Sequence, residues 1–240
     1  GGINTSGLVL LMHFNNESQY GENNTNVTDF SIDANSERAG GTHNNGSIKN
    51  GASYNLTNKK FGAAAMNFDG VNDIVNITPS STLLSTNYTY SLWANVKSNP
   101  ASGTAGGLIA LGDSITGDQT IVLANTYASI LNGFSFISYN TDATNFYGGV
   151  GSLPSINRWY HLVLTRDSSN INFYVDGSLN GTFSVGGKTA LFGAAGRYIS
   201  IGRRDSQNFT GLIDEVAIFN RSLSSAEILN LYKRGALRLN

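Results

Sequence analysis

The sequence predicts an all-β fold, an antiparallel sandwich of two sheets with one short helix at the C-terminus. Three observations support this prediction: short alternating or apolar runs recur along most of the chain, they are rich in β-branched and aromatic residues, and turns of Gly, Asn and Asp separate them. With 240 residues and a formal net charge of −1, the chain suits one large domain, with two small domains as the alternative.

The strand patterns follow one another from the N-terminus to residue 219. They lie at residues 7–14, 61–68, 73–77, 88–97, 107–111, 134–139, 158–166, 170–176, 198–202 and 211–219. Asp176-Gly177 predicts a hairpin with a type I′ turn, because glycine readily supplies the positive φ that this turn requires. Each pattern is the length of a strand, so the sandwich is expected to consist of many short strands.

The helical pattern lies at the end of the chain. Ser224 and Glu227 have the spacing of a capping box, which satisfies N–H groups at a helix start. Apolar residues follow at helical spacing, namely Ile228, Leu229, Leu231 and Tyr232. We expect this short helix to pack its apolar side on the sandwich.

Residues 15–58 form a long, polar, Asn-rich segment between the first two strand patterns. The segment is poor in strand signals and too long for an ordinary connection inside a compact domain, so it is functional, ordered by a metal or loosely structured. No repeat, linker or change of composition divides the chain elsewhere. We therefore interpret residues 1–240 as a single domain.

Composition argues against several classes of function. With 15 Lys and Arg against 16 Asp and Glu, no basic excess exists to neutralise phosphates, so nucleic acid is not an expected partner. The longest apolar runs are strand-sized, so membrane insertion is not expected either. The chain has no cysteine, which excludes disulfides, thiolate metal sites and a cysteine nucleophile.

Asn-X-Ser/Thr sequons are frequent, and they indicate an extracellular protein. They begin at Asn4, Asn16, Asn23, Asn26, Asn45, Asn55, Asn76, Asn87, Asn180, Asn208 and Asn220. The frequencies of Asn and Ser/Thr give about half this number by chance. Richness in Asn, Ser and Thr is the alternative explanation.

Six sequence blocks follow one another in the order of a known family. They are residues 61–77, 90–96, 158–167, 171–177, 199–203 and 211–223. Together they resemble the laminin G-like jelly-roll domain of the concanavalin A-like lectin/glucanase superfamily, and the resemblance runs from the first strand to the terminal helix. It implies a two-sheet antiparallel jelly roll in which the N- and C-terminal strands are neighbours in one sheet.

The last strand pattern, GLIDEVAIF, carries two adjacent acids, Asp214 and Glu215. Because strand side chains alternate, Asp214 is expected to share a face with Val216 and Ile218, and Glu215 to lie on the other face. Neither face is polar. A buried carboxylate needs a cation, hydrogen bonds or a proton, so each acid is expected to have a specific partner.

The resemblance implies that a structural calcium ion is the partner of Asp214. Domains of this family often bind calcium between this Asp and the loop after the first strand, where Asn15 replaces the usual acid. The implied ligands are Asp214, Asp29 or Asp33, Asn15 and backbone carbonyls near His43 and Asn44. A backbone network or an arginine, from Arg166, Arg203 or Arg204, is the alternative at Asp214, and we expect an arginine at Glu215.

The sequence offers no catalytic set. Asp214 and Glu215 are adjacent and point to opposite faces unless a bulge intervenes, so they cannot flank one glycosidic bond as a pair. No G-x-S-x-G elbow is present, and the three histidines lie far apart. Segment 98–157 carries aromatic residues able to stack on a sugar, namely Tyr127, Tyr139, Phe146 and Tyr147. The sequence Phe146-Tyr147-Gly148-Gly149 predicts either a loop tip with a stacking ring or a half-buried hairpin.

These observations predict a non-catalytic extracellular binding module for a glycan or a cell-surface glycoprotein, stabilised by calcium and belonging to a larger surface protein. One alternative is a structural or adhesive domain of a cell-surface protein, with no small ligand of its own. A glycoside hydrolase or polysaccharide lyase is the third possibility, and it would require two acids facing one cleft.

Overall fold

A computed structural model describes residues 4–31, 44–79, 83, 85–101, 104–112, 119–127, 132–142, 144–189, 198–204 and 206–235, with the backbone alone at 119–127, 132 and 145. Strands account for most of these residues. In chain order they are β1 Leu8–Met12, β2 Asn26–Val27, β3 Gly46–Lys49, β4 Ser53–Asn55, β5 Ala65–Asp69, β6 Ile74–Ile77, β7 Tyr88–Val96, β8 Thr104–Gly112, β9 Gln119–Tyr127, β10 Asn132–Tyr139, β11 Asn145–Gly149, β12 Trp159–Arg166, β13 Asn170–Val175, β14 Ser178–Ser184, β15 Tyr198–Ile201, β16 Arg203–Arg204, β17 Gln207–Asn208 and β18 Thr210–Phe219. One α-helix, α1, spans Ser225–Arg234, and a 3-10 turn spans Ser18–Tyr20.

Sixteen of the described strands form two antiparallel sheets of eight strands each, and β16 and β17 form a separate two-stranded antiparallel sheet. The first has the order β14-β13-β12-β7-β18-β5-β4, with β1 also paired to β18, and the second has the order β11-β10-β9-β8-β15-β6-β3-β2. Leu11 of β1 lies opposite Ala217 of β18, so the N- and C-terminal strands are neighbours. The predicted sandwich is confirmed.

The core lies between the two sheets, where alternating side chains such as Leu10, Tyr90, Phe136 and Ile213 are at most 1% exposed. Each buried apolar side chain of this size contributes about 1.5–3 kcal/mol of hydrophobic stabilisation. Because side chains alternate along a strand, the residues between the core residues point away from the core.

Helix α1 covers the outer face of the first sheet, as predicted. Ser224 and Glu227 form the capping box, and Ile228 and Leu231 are buried against a second cluster that includes Phe219. The described residues contain no helix with the length and apolar character needed to cross a lipid bilayer.

Several strands were not predicted from the sequence patterns. Strand β9, Gln119–Tyr127, lies outside all of those patterns. Segment 15–58, predicted to be poor in strands, contains β2, β3 and β4, whose two to four residues are too short to show a clear pattern. Residues 145–149, for which a loop tip was one prediction, form strand β11, in which Tyr147 lies opposite Ile137 of β10. The half-buried hairpin is therefore the correct alternative there.

Candidate functional site

Asp214 and Glu215 occupy a β-bulge in the middle of β18. The pairing of β18 with β7 shifts register after Asp214, and Glu215 has a φ of 51°, which is unusual for a residue other than glycine. On the side of β18 opposite to β7, the neighbouring strand changes at this bulge. Strand β5 pairs with β18 up to Ile213, and β1 pairs with it from Val216. Ile213, Val216 and Ile218 all point into the core, so the prediction that Asp214 shares a face with Val216 and Ile218 is wrong.

The Asp214 carboxylate is fully buried and accepts three backbone hydrogen bonds. Its Oδ2 accepts from the N–H of Lys60 at 2.9 Å and of Phe61 at 3.1 Å, and its Oδ1 accepts from the N–H of Glu215 at 2.9 Å. Burial, and then the charge of Glu215, raises the pKa of Asp214 to about 8, although the hydrogen bonds act in the opposite direction. Asp214 thereby joins the loop before β5 to the last strand.

Glu215 lies against His13 at the end of β1. The Glu215 Oε1 and His13 Nδ1 atoms are 2.9 Å apart. Burial alone would lower the pKa of His13, but the hydrogen bond and charge of Glu215, with the charges of Glu22 and Glu17, raise it above its ordinary value. Arg166, one of the arginines considered for Asp214, instead donates to Ser138, Asn140 and the carbonyl of Lys188.

The other residues predicted to bind calcium have separate contacts. Asp29 accepts from the N–H groups of Leu11 at 2.9 Å and of Asn44 at 3.2 Å, so the structure brings Asp29 and Asn44 together. Asn15 Oδ1 accepts from the N–H of Ala63 at 2.8 Å. The predicted ligands Asp33 and His43 lie outside the described residues.

These contacts do not fit a calcium ion centred on Asp214. Calcium requires oxygen lone pairs that point to the ion, whereas both Asp214 oxygens accept N–H groups. Asp214 and Asp29 share no hydrogen-bond donor, and no three His, Asp or Glu side chains in the described part of the chain come together as a metal site. Calcium binding stays a prediction.

Ser91 and His161 form a pair that resembles part of a hydrolase site, with Ser91 Oγ 2.9 Å from His161 Nε2. Both residues are at most 5% exposed, and His161 Nδ1 has no hydrogen-bond partner. Burial lowers the pKa of His161 to about 3. A general base needs access to substrate, a partner that orients it and a pKa near neutrality, so this pair does not form a catalytic centre.

The aromatic residues predicted to stack on a sugar have different environments. Tyr139 and Phe146 are half-buried, and the Phe146 ring packs on the core with the Arg166 guanidinium 5.9 Å from its centre. Tyr147 on β11 is 55% exposed. The side chain of Tyr127 lies outside the described residues. Of the described three, Tyr147 alone presents most of its ring to solvent, and its role in binding stays a prediction.

A groove crosses the outer face of the second sheet, with a volume of about 160 Å³. Its floor contains Asn76 of β6 and Ser200 of β15. These residues face outward because their neighbours Val75, Ile77 and Ile199 point into the core. The described lining consists of Lys49, Asn50, Ile74, Asn76, Gly112, Tyr198, Ser200 and Arg203.

The groove places unpaired polar groups beside an exposed aromatic ring. Tyr198 is 47% exposed at the start of β15. The Lys49 ammonium, the Asn76 amide and the Tyr198 hydroxyl make no hydrogen bond with any other protein group in the described part of the chain. Such groups suit a ligand with many hydroxyls and an apolar face. No carboxylate belongs to the described lining, so two-acid hydrolysis finds no support in this groove.

This groove was not predicted from the sequence. The alternation in Tyr198-Ile199-Ser200-Ile201 places Tyr198 and Ser200 on the solvent face, and this signal was available. The convergence of Lys49, Asn76 and Tyr198 depends on the pairing of distant strands, which alternation alone does not give.

Comparison with known proteins places this sandwich in a family. Residues 68–229 match Laminin_G_3, a family of the Concanavalin A-like lectin/glucanases superfamily. This match covers more than half of the chain, and the chain belongs to that family.

Individual relatives are more distant. Adhesion G-protein coupled receptor V1 of Danio rerio is 25% identical over 158 residues, which are 62% of this chain and 2% of the receptor. The chain therefore spans a small part of that relative.

Solved structures show the same fold. Domain 4 of AbnA, a GH43 extracellular arabinanase from Geobacillus stearothermophilus, in complex with arabinotriose, has a TM-score of 0.68 at 18% identity, over 94% of this chain and 98% of that domain. The botulinum neurotoxin serotype D ligand binding domain, in complex with N-acetylneuraminic acid, has a TM-score of 0.65 at 13% identity, over 95% of this chain and 51% of that one.

Proposed function

We propose that the chain is a non-catalytic extracellular carbohydrate-binding module, and that the groove between Lys49 and Tyr198 is its binding site. The observation that carries this proposal is the combination of an exposed Tyr198 ring with the unpaired Asn76 amide and Lys49 ammonium around one groove. A sugar ring offers an apolar face and a rim of hydroxyls, so an aromatic ring beside hydrogen-bonding groups is complementary to it.

The structural relatives support this proposal. The arabinanase domain was solved with arabinotriose and the neurotoxin domain with N-acetylneuraminic acid, and both share the fold over at least 94% of this chain. The match to an adhesion receptor supports an extracellular location, a cell-surface partner and membership of a larger surface protein.

We expect Tyr198→Ala to weaken glycan binding at least about tenfold, because truncation of an exposed anchor ring costs about 1.4 kcal/mol or more. Tyr147→Ala is the matched control, since Tyr147 is 55% exposed against 47% for Tyr198 and lies on β11 at the sheet edge. A glycan array would identify the ligand, and calorimetric titration would give the affinity of wild type and of both variants.

The two variants separate the two candidate sites. Binding that is lost in Tyr147→Ala and kept in Tyr198→Ala would place the site on β11 instead of the groove. The absence of any bound glycan would contradict the proposed function itself.

A structural or adhesive domain is the second candidate, and the match to the adhesion receptor favours it. Such a domain would bind another protein through its surface and would need no sugar in the groove. Two results together would support this candidate. The chain would still bind a cell-surface protein after the glycans of that protein are removed, and Tyr198→Ala would not change this binding.

A structural calcium ion is a separate proposal that comes from the family resemblance. It rests on the resemblance alone, because both Asp29 oxygens also accept N–H groups, Oδ1 from Leu11 and Ser31 and Oδ2 from Asn44. If calcium binds, a concentration of about 100 times its dissociation constant stabilises the fold by about 2.7 kcal/mol, so the melting temperature should be higher in calcium than in a chelator. Equal melting temperatures in the two solutions would refute calcium binding.

A further inference from the structure

A row of polar side chains crosses four strands on the outer face of the second sheet. Asn26 of β2 lies opposite Ser47 of β3, Ser47 lies opposite Asn76 of β6, and Asn76 lies opposite Ser200 of β15. Directly opposed residues of antiparallel strands project from the same face, so these four side chains form one continuous row. Asn26 and Ser47 are exposed, and Asn76 and Ser200 are half-buried.

Most of this row is free to bind a ligand. The side chains of Asn26, Ser47 and Asn76 make no hydrogen bond to another protein group within the described ranges. The Ser200 hydroxyl donates to the carbonyl of Arg203 at 2.9 Å, and its oxygen keeps acceptor capacity. The row therefore offers alternating amides and hydroxyls, which can both donate to and accept from sugar hydroxyls.

The direction of the groove follows from the strand pairing. Strands β3 and β15 are both antiparallel to β6, so they run in the same direction. Lys49 follows Ser47 by two residues, whereas Tyr198 precedes Ser200 by two, so the two flanking side chains lie on opposite sides of the row. A ligand between Lys49 and Tyr198 would lie along the row, across the strands.

The row is longer than one sugar. Neighbouring strands are about 4.8 Å apart, so three spacings place Ser200 about 14 Å from Asn26. One sugar unit of a linear chain is about as long as one such spacing. A single sugar at Tyr198 would leave Ser47 and Asn26 without a contact, whereas a chain of linked sugars would reach them.

We infer that the groove binds a linear oligosaccharide of three or more units, which lies across β15, β6, β3 and β2 with one end beside Tyr198. This inference rests on the proposed function and specifies its ligand class. Asn76 and Ser200 contact the sugars nearest Tyr198, and Ser47 and Asn26 contact the sugars toward the sheet edge.

The test is a length series. The probes are array-printed and soluble arabinan, xylan, mannan and cellulose oligosaccharides of one to six units, titrated into the full chain. In the series that binds, we expect affinity to rise at least about tenfold from one unit to three and to change little beyond four. A monosaccharide that binds as tightly as the trisaccharide would overturn the inference while leaving the proposed function intact. If none of these series binds, the inference is overturned, whereas the proposed function fails only if the glycan array also shows no bound glycan.

A paired variant adds a positional readout. Asn26→Ala with Ser47→Ala should weaken the trisaccharide several-fold and leave the disaccharide unchanged, whereas Tyr198→Ala should weaken both. Asn180→Ala, an exposed amide on edge strand β14 of the other sheet, is the matched control. If the Asn26/Ser47 variant binds the trisaccharide as tightly as wild type does, the inference of an extended site is overturned.

Discussion

Replacing Asp214 by alanine is expected to destabilise the fold by about 3–5 kcal/mol, because the backbone N–H groups of Lys60, Phe61 and Glu215 would lose their acceptor in a buried site. The loss would also free the loop before β5 from the last strand. Chemical denaturation with linear extrapolation measures the change in the free energy of unfolding.

The expected loss depends on pH. Burial raises the folded-state pKa of Asp214 to about 8, above its ordinary value of 3.8. The folded state therefore keeps a proton that the unfolded state releases, so this carboxyl contributes most below about pH 4 and its contribution declines up to about pH 8. The difference between wild type and Asp214→Ala should be larger at about pH 5 than at about pH 8.

Asp167→Ala is the matched control for this prediction. Asp167 Oδ1 also accepts backbone N–H groups, from Ser169 and Asn170, but in an exposed turn where water can replace it. We expect a loss below about 1 kcal/mol there. Equal losses in the two variants would show that the buried network at the bulge does not have the stabilising role assigned to it.

Replacing Asn76 by leucine is expected to weaken glycan binding at least about tenfold, and the double variant with Tyr198→Ala at least about a hundredfold, which corresponds to about 2.7 kcal/mol. Asn76 lies in the middle of the groove floor, and leucine has a similar size but no hydrogen-bonding group. The side chain faces outward, so the stability of the fold should change by less than about 1 kcal/mol.

Asn172→Leu is the control for this variant. Asn172 is a half-buried amide on β13 of the other sheet, where its Oδ1 accepts from the Thr182 hydroxyl at 2.8 Å. Its replacement by leucine removes a half-buried amide away from the groove, so glycan affinity should stay at the wild-type value. Calorimetric titration of the array-identified glycan compares wild type, Asn76→Leu, the double variant and Asn172→Leu, and circular dichroism confirms that each is folded. Unchanged affinity in Asn76→Leu would exclude the groove floor as the contact surface.

The fold was predictable because its signals are local. The pattern at 198–202 corresponds to β15, and the pattern at 211–219 corresponds to β18, since alternation within one segment shows which side chains are buried. The capping box of Ser224 and Glu227 likewise lies within four residues. Strands β2 and β4 escaped prediction, because two or three residues do not display an alternation and pairing with neighbours determines them.

The faces of Asp214 and Glu215 were mispredicted for a different reason. Strict alternation holds only while a strand keeps the same neighbours, and β18 exchanges β5 for β1 at this point. The bulge at Glu215 accommodates that exchange and reverses the alternation of the residues after it. Sequence showed that the two acids needed partners. The structure gives Asp214 two backbone N–H groups from a loop 153–154 residues earlier in the chain, and it gives Glu215 the side chain of His13, 202 residues earlier.

The groove could be predicted only in part. Outward positions such as Asn76 and Tyr198 can be read from alternation within their strands. The row of Asn26, Ser47, Asn76 and Ser200 depends on the register of three strand pairs that join distant parts of the chain. The aromatic residues singled out in segment 98–157 were chosen by type alone, and for Phe146 the fold uses the ring in packing.

The most direct test is a nuclear magnetic resonance titration of the isotope-labelled chain with the oligosaccharide that binds best on the array. If the groove is the binding site, the largest amide shifts should map to residues 47–50, 74–76 and 198–203, and Tyr198→Ala should reduce them at the same ligand concentration. Largest shifts at Asn145–Gly149, with the groove amides unmoved, would contradict the groove as the site of sugar binding.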